Sequence, residues 1–144
     1  FEGEAMAREP ELIIFAIGIN DSAYDNETKE NLVSLERFSE NIKTLIEKAK
    51  GISRGAAVIG LCRVEETKTN PIPWRTNVFY KNENILKYDD ELKKLSTDSG
   101  ILYLDVANLL TKEDLDDGLH PNAGGHEKLF QVVKIFLQIN KLLQ

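Results

Sequence analysis

The sequence contains very few of the residues that hold metal ions or form disulfides. Its 144 residues include one cysteine, Cys62, and two histidines. A single cysteine cannot form a disulfide within the chain, and it does not make the spacing of a zinc site. The sequence therefore indicates no internal disulfide, no metal site and no cofactor.

Basic charge and long apolar runs are also scarce. Eighteen Lys and Arg residues stand against 24 Asp and Glu residues, a formal net charge of −6. Without a basic stripe, nucleic acid is not an expected partner. No apolar stretch approaches the roughly 20 residues that cross a bilayer, so we expect no membrane span. The hydrophobic content of 42% is enough for the core of one domain, which we take to include residues 1–144.

Apolar strand patterns alternate with helical patterns along the chain. Three runs read as buried strands, namely residues 12–17, 56–61 and 101–104. One helical face holds Leu32, Leu35, Phe38, Ile42, Leu45 and Ile46 and ends near Gly51; a second helix is predicted over residues 85–95; a third begins at Ala123 and turns Leu129, Val132, Val133, Phe136 and Leu137 inward. This alternation predicts an α/β fold with a parallel sheet that helices cover on both sides.

A pair of residues suited to acid–base chemistry lies ahead of the last helix, in the segment Asp117-Gly118-Leu119-His120-Pro121. A carboxylate three residues before an imidazole can accept the Nδ1 proton and leave Nε2 free to act as a base. Asp and Gly are also ordinary turn residues, so the same pattern is compatible with a plain turn before a helix.

A second segment follows the first strand and reads Gly18-Ile19-Asn20-Asp21. An asparagine at the end of a strand can form a turn, or it can aim its amide at a developing oxyanion. With both segments present and in this order, the chain resembles the SGNH, or GDSL-type, esterase and lipase family. The resemblance implies an oxyanion-hole role for Asn20, supporting roles for Gly18 and Asp21, and roles as triad acid and base for Asp117 and His120.

The resemblance also implies parts that this sequence lacks. The family's nucleophilic serine lies in a Gly-Asp-Ser segment after its first strand, and a second oxyanion donor is a glycine after its second strand. None of the six serines follows Gly-Asp. We therefore interpret residues 1–144 as the C-terminal part of one domain, a three-layer α/β/α sandwich of flavodoxin-like order, with its third to fifth strands present. The first of these strands would then have an open edge, which an N-terminal segment or a partner chain would complete.

The long polar connection after Cys62 is the expected place for substrate selection. It contains Pro71, Pro73 and Trp74, and an aromatic side chain in a stiffened loop suits a lid or a platform for an acyl or sugar group. The alternative is that Trp74 folds onto the sheet edge and orders the loop. The expected substrate is a small-molecule ester, and the sequence does not choose among lipids, thioesters, acetylated sugars and aryl esters.

Two other functions stay open on the sequence. Cys62 follows a predicted strand and could serve as a thiol nucleophile, although a lone cysteine there is usually a small hydrophobic residue. The same fold without a nucleophile would be a catalytically inactive binding module. Asp116 and His126 are expected to be solvent-exposed and without a catalytic part. Any signal peptide would precede Phe1, so the location of the protein is left open.

Overall fold

The centre of the molecule is a parallel sheet of three strands with helices packed against it. The computed structural model describes residues 2–142. Its elements, in chain order, are α1 (Glu2–Arg8), β1 (Leu12–Phe15), β2 (Tyr24–Asp25), β3 (Glu30–Asn31), α2 (Leu35–Ile52), β4 (Gly55–Ile59), α3 (Glu66–Thr69), β5 (Val78–Phe79), α4 (Asn82–Asp98), β6 (Leu102–Leu104), a 3-10 helix (Lys112–Asp114) and α5 (Ala123–Ile139). The predicted α/β class with a parallel sheet is confirmed.

The strand order of the central sheet is β1-β4-β6, so β1 lies at an edge. Leu12 lies opposite Gly55 and Phe15 opposite Val58, while Ile59 is paired with Leu104. All three strands are parallel and therefore end at the same side of the sheet. The segments that follow β1 and β4 leave the sheet at that side, which is where ligands bind in open α/β sheets.

Helix α2 is amphipathic and covers one face of the sheet together with α4. Ser34 caps its start by accepting a hydrogen bond from the Arg37 N–H at 3.2 Å. Its buried residues are Phe38, Ile42, Ile46 and Ala49, which recur every three to four positions. Full burial of a side chain the size of Phe38 stabilises a fold by about 1.5–3 kcal/mol.

The ends of α2 differ from the prediction. Because the cap is Ser34, Leu32 lies before the helix and is exposed. Gly51 lies inside the helix, which ends at Ile52 with Ser53 as its C-cap. Helix α4 is also longer than predicted, since it begins at Asn82 and continues to Asp98.

A second, smaller sheet was not predicted. Its antiparallel strands have the order β3-β2-β5, with Tyr24 opposite both Asn31 and Phe79. The buried Asp25 joins the strands by accepting a hydrogen bond from Asn77 Nδ2 at 2.9 Å. This sheet ties the segment after Asn20 to the long loop that contains Trp74.

The C-terminal helix α5 is less buried than predicted. Of the five residues expected to turn inward, only Leu137 is buried, and the other four are half-buried. Phe130, Ile135 and Ile139 are exposed on the same helix. Its first turn packs closely on the 3-10 helix, since a side chain at Gly125 would lie 2.5 Å from the Asp114 carbonyl oxygen. Within residues 2–142, no helix is both long enough and apolar enough to cross a membrane.

Candidate active site

Asp117 and His120 form a closed turn in which the carboxylate contacts both the ring and the backbone. Oδ2 of Asp117 lies 2.7 Å from Nδ1 of His120. Oδ1 accepts hydrogen bonds from the backbone N–H groups of Leu119 and His120, at distances of 2.9 and 2.8 Å. The expected hydrogen bond is therefore present, and each carboxylate oxygen has its own partners.

The charge of Asp117 is maintained by these contacts. Partial burial disfavours the carboxylate, but the hydrogen bonds from the His120 N–H, the His120 ring and the Leu119 N–H outweigh it and hold the pKa at about 2. Asp117 is thus ionised over the whole range in which histidines change charge. The His120 side chain is 66% exposed, so its other nitrogen is accessible from solvent.

The turn is fastened to the helices on either side of it. The Asp116 N–H donates to the His120 carbonyl at 2.9 Å, and the Asn122 N–H donates to the Asp114 carbonyl at 2.8 Å. The buried Asp114 carboxylate also accepts a hydrogen bond from Lys128 Nζ on α5 at 2.7 Å. The position of His120 is therefore set by the packing of α5 on the 3-10 helix.

Asn20 lies in a second tight turn, directly after β1. Gly18 has a φ of 121°, and a side chain there would lie 3.1 Å from the ring of Phe38, so the turn needs glycine. The buried Ser22 hydroxyl closes the turn by donating to the Ile19 carbonyl at 2.7 Å. The Asn20 side chain is exposed, while Asp21 is half-buried and its pKa is raised by that burial.

A chain of contacts connects the two turns. The turn glycine, Gly118, has a φ of 89° and lies against α3, where its carbonyl accepts the Glu65 N–H at 2.8 Å. At the end of α3, Thr69 makes two hydrogen bonds of 3.0 Å to the backbone of Tyr80. The Tyr80 hydroxyl then donates to Asn20 Oδ1 at 2.8 Å.

No sequence pattern indicated the part played by Thr69 and Tyr80. They lie in the long polar connection, which has no periodicity, and at least 37 positions separate them from each of the two motifs. The unusual length of this connection was the one signal that it does more than join two elements.

Trp74 lies beside His120 and not on the sheet edge. Its ring is stacked on the imidazole, with ring centroids 6.1 Å apart and an interplanar angle of 28°. Trp74 is 57% exposed, whereas the neighbouring Ile72 is buried. Ile72 therefore orders the loop, and Trp74 presents a free aromatic face next to the histidine.

Cys62 is poorly suited to nucleophilic attack. Burial, with a smaller contribution from the Asp89 carboxylate, raises the pKa of its thiol to about 11. Asp89 is itself engaged, because it accepts hydrogen bonds from the Leu61 N–H at 2.7 Å and the Tyr103 hydroxyl at 2.6 Å. At neutral pH Cys62 is therefore a protonated thiol.

Most of the six serines have structural partners of their own. Ser34 caps α2, and four others donate hydrogen bonds to nearby groups: Ser22 to Ile19, Ser39 to Glu91, Ser53 to Ala49 and Gly55, and Ser96 to Leu92. Ser99 ends α4. Throughout residues 2–142, no hydrogen bond joins a serine to His120. The described residues also contain no group of three or more His, Cys, Asp or Glu side chains that could hold a metal ion.

We compared the chain with known protein families. Residues 2–128 match the GDSL-like lipase/acylhydrolase family. The chain belongs to this family. The two turns described above, one after β1 and one before α5, thus lie in an esterase and acylhydrolase fold.

Individual relatives agree with the family. A multidomain esterase of Ruminococcus flavefaciens is 27% identical over 124 residues, which are 83% of this chain and 14% of that protein. An acetylxylan esterase of Geobacillus stearothermophilus has the same fold, with a TM-score of 0.69 at 18% identity over 95% of this chain and 62% of its own. An α/β hydrolase from the metagenome of Lake Arreo in Spain also gives 0.69 at 18% identity, over 99% and 65%. The chain thus spans less than two thirds of each relative.

Solved forms of the Geobacillus enzyme include variants described as catalytic mutants. They replace a serine, an aspartate and a histidine by alanine, and the histidine follows the aspartate by three positions.

Proposed function

We propose that this chain supplies the base, the acid and one oxyanion donor of a serine esterase that hydrolyses carboxylic esters. Nε2 of His120 takes the proton of a serine hydroxyl while the serine oxygen bonds to the ester carbonyl carbon. The resulting imidazolium gives that proton to the departing alcohol oxygen, and water then releases the acid by the same steps. Asp117 holds the ring and stabilises the imidazolium.

The observation that carries this proposal is the pairing of Asp117 with His120. Because Oδ1 is occupied by two backbone N–H groups, the carboxylate cannot rotate freely, and Oδ2 is left for Nδ1. This directs the ring proton to Nδ1 and leaves the Nε2 lone pair for the nucleophile. The aspartate and histidine of the Geobacillus catalytic mutants have the same three-residue spacing.

We place the nucleophile outside residues 1–144, together with the second oxyanion glycine. Five of the six serine side chains are hydrogen-bonded to other groups. Within residues 2–142, β1 is an edge strand that pairs with β4 on one side, and its other side is where a further strand could pair. The residues that supply the serine would then also complete the sheet, whether they belong to a preceding segment or to a partner chain.

The nucleophile can be located by labelling. We expect a fluorophosphonate, which phosphorylates activated serines, to inactivate the intact protein and to modify one serine outside residues 1–144. A label on any of the six serines within the chain would contradict this placement. A protein that hydrolyses no ester and takes no label would be a binding module with the same fold.

Asn20 is proposed to donate its amide N–H to the oxyanion that forms on the carbonyl oxygen. We expect Asn20→Ala to lower kcat by about 10²- to 10³-fold, as the loss of other oxyanion donors does. The measurement is steady-state hydrolysis of an aryl acetate by the intact protein. Asn26→Ala, which loses only an exposed contact to Lys29, serves as the control. An Asn20→Ala variant that retains most of its activity would remove Asn20 from the mechanism.

Trp74 is proposed to contact the substrate. Its exposed ring continues the surface of His120 and offers an apolar platform for the part of the ester next to the reacting carbonyl. This placement is compatible with an acyl group and with a sugar ring.

The pH dependence of the proposed reaction follows from the charge states of the base and of Asp117. A general base must be unprotonated to accept the serine proton, so we expect kcat/KM to rise with pH between pH 5 and 8. The lowered pKa of Asp117 favours the folded state above the ordinary pKa of an aspartate, and this contribution is lost only as the pH falls towards about 2. The lower activity expected at pH 5 is therefore not caused by loss of the turn. The circular dichroism spectrum of the protein should stay constant between pH 5 and 8. A flat rate profile over that range, with chemistry limiting turnover, would contradict a histidine base.

A further inference from the structure

The hydrogen bond between Tyr80 and Asn20 has no part in the chemistry described so far. The hydroxyl of Tyr80 lies 2.8 Å from Oδ1 of Asn20. This inference rests on the proposed oxyanion role of Asn20 and concerns what makes that role effective. An amide can donate to an oxyanion only while its nitrogen, and not its oxygen, faces the substrate.

The Tyr80 hydroxyl is held firmly in place. Tyr80 is 6% exposed, and its backbone N–H and carbonyl are both bonded to Thr69, which is fully buried. The next residue but one, Asn82, clamps the backbone of Val64 with two hydrogen bonds, at 2.9 and 3.0 Å. Burial also raises the pKa of Tyr80, so its hydroxyl keeps its proton and remains a donor.

Asn20, by contrast, depends on this hydroxyl for its orientation. Its side chain is exposed, and within residues 2–142 Tyr80 is the partner recorded for its amide. An exposed asparagine without such a contact rotates about its side-chain bonds and presents oxygen and nitrogen alternately. A carbonyl oxygen pointed at a developing oxyanion would repel it.

We propose that Tyr80 is a positioning residue for the oxyanion hole, which binds Asn20 Oδ1 and so turns the Nδ2 hydrogens towards the reacting carbonyl. The same residue connects Asn20 through Thr69 and α3 to the turn of Asp117 and His120. One short segment, residues 65–80, therefore contacts both the oxyanion donor and the turn that contains the base.

The test is a double-mutant cycle in the intact protein with Tyr80→Phe and Asn20→Ala. Phenylalanine keeps the ring and removes only the hydroxyl. We expect Tyr80→Phe alone to lower kcat by about three- to tenfold with little change in KM, which is the effect of one lost hydrogen bond. In the Asn20→Ala background the same change should lower kcat by less than about twofold, because the amide that Tyr80 positions is gone.

A merely structural tyrosine would give a different result. If Tyr80→Phe lowers kcat by the same factor in both backgrounds, or leaves kcat unchanged in the Asn20-containing protein, the inference is wrong. Tyr88→Phe is the matched control, because this buried tyrosine donates its hydroxyl to the Val33 carbonyl and does not contact Asn20. It should lower thermal stability without lowering kcat.

A readout without turnover separates this inference from the proposed function. With ¹⁵N-asparagine labelling, the Asn20 side-chain amide should show slower rotation about its Cβ–Cγ bond in the parent protein and in Tyr88→Phe than in Tyr80→Phe. If the intact protein hydrolyses no ester, the proposed function fails, yet the amide measurement still decides whether Tyr80 orients Asn20. Equal amide rotation in all three proteins would overturn the inference.

Discussion

His120→Ala is expected to lower the kcat of the intact protein by about 10⁴-fold or more, with the fold unchanged. The base is lost completely, and alanine has no group that can take the serine proton. Because the side chain is largely exposed, its removal leaves no cavity. The turn should persist, because the His120 backbone keeps its hydrogen bonds to Asp116 and Asp117. Steady-state ester hydrolysis and a thermal melt together measure the two parts of this expectation.

The chain provides a matched control in its only other histidine. His126 is exposed on α5 and bonds Asn122 through its backbone. His126→Ala should retain full activity, which would exclude a general effect of removing an imidazole. Near-normal turnover by His120→Ala, or equal losses in both variants, would end the assignment of His120 as the base.

Asp117→Asn is expected to lower kcat by about 10²- to 10⁴-fold while preserving the turn. The asparagine Oδ1 can still accept the N–H groups of Leu119 and His120, so the backbone contacts are kept. Its Nδ2 would then face the imidazole and donate to Nδ1. This forces the ring proton onto Nε2, where the base needs a lone pair, and the stabilising charge is lost as well.

The control for this change is the neighbouring aspartate. Asp116 is exposed, and its contact to the turn is made by its backbone N–H, so Asp116→Asn should keep its activity and melting temperature. Asp117→Ala adds a further comparison, because it also removes the acceptor of two backbone N–H groups and should lower thermal stability. Activity of Asp117→Asn within about tenfold of the parent protein would mean that the carboxylate only shapes the turn.

The elements that the sequence predicted well are those with a local physical cause. The helix that buries Phe38 carries an apolar periodicity that indicates one buried face. The first strand was readable from its continuous apolar run, although it ends at Phe15 instead of Ile17 and leaves Ile14 exposed. The Asp117 and His120 pair was also readable, since a separation of three residues in a turn brings the two side chains together without help from the rest of the fold.

Predictions failed where the outcome depended on a distant partner. The two-residue strands at Tyr24 and Val78 are too short for an alternating pattern, and they form only because they pair with each other across the molecule. For α5 the periodicity identified an amphipathic helix, but the burial of Phe130 or Leu137 depends on which surface packs against each of them.

By itself, then, the sequence determined the α/β class, the position of both turns and the chemistry available in each. Those properties follow from side-chain type and from spacing along the chain. Only the tertiary structure decided that Trp74 stacks on His120, that burial raises the pKa of the Cys62 thiol and that Tyr80 contacts Asn20. Tyr80 and Asn20 are separated by 60 positions, and no local preference specifies a contact over that distance. It arises because α3 and the small sheet pack the long polar loop against the carboxyl ends of the strands.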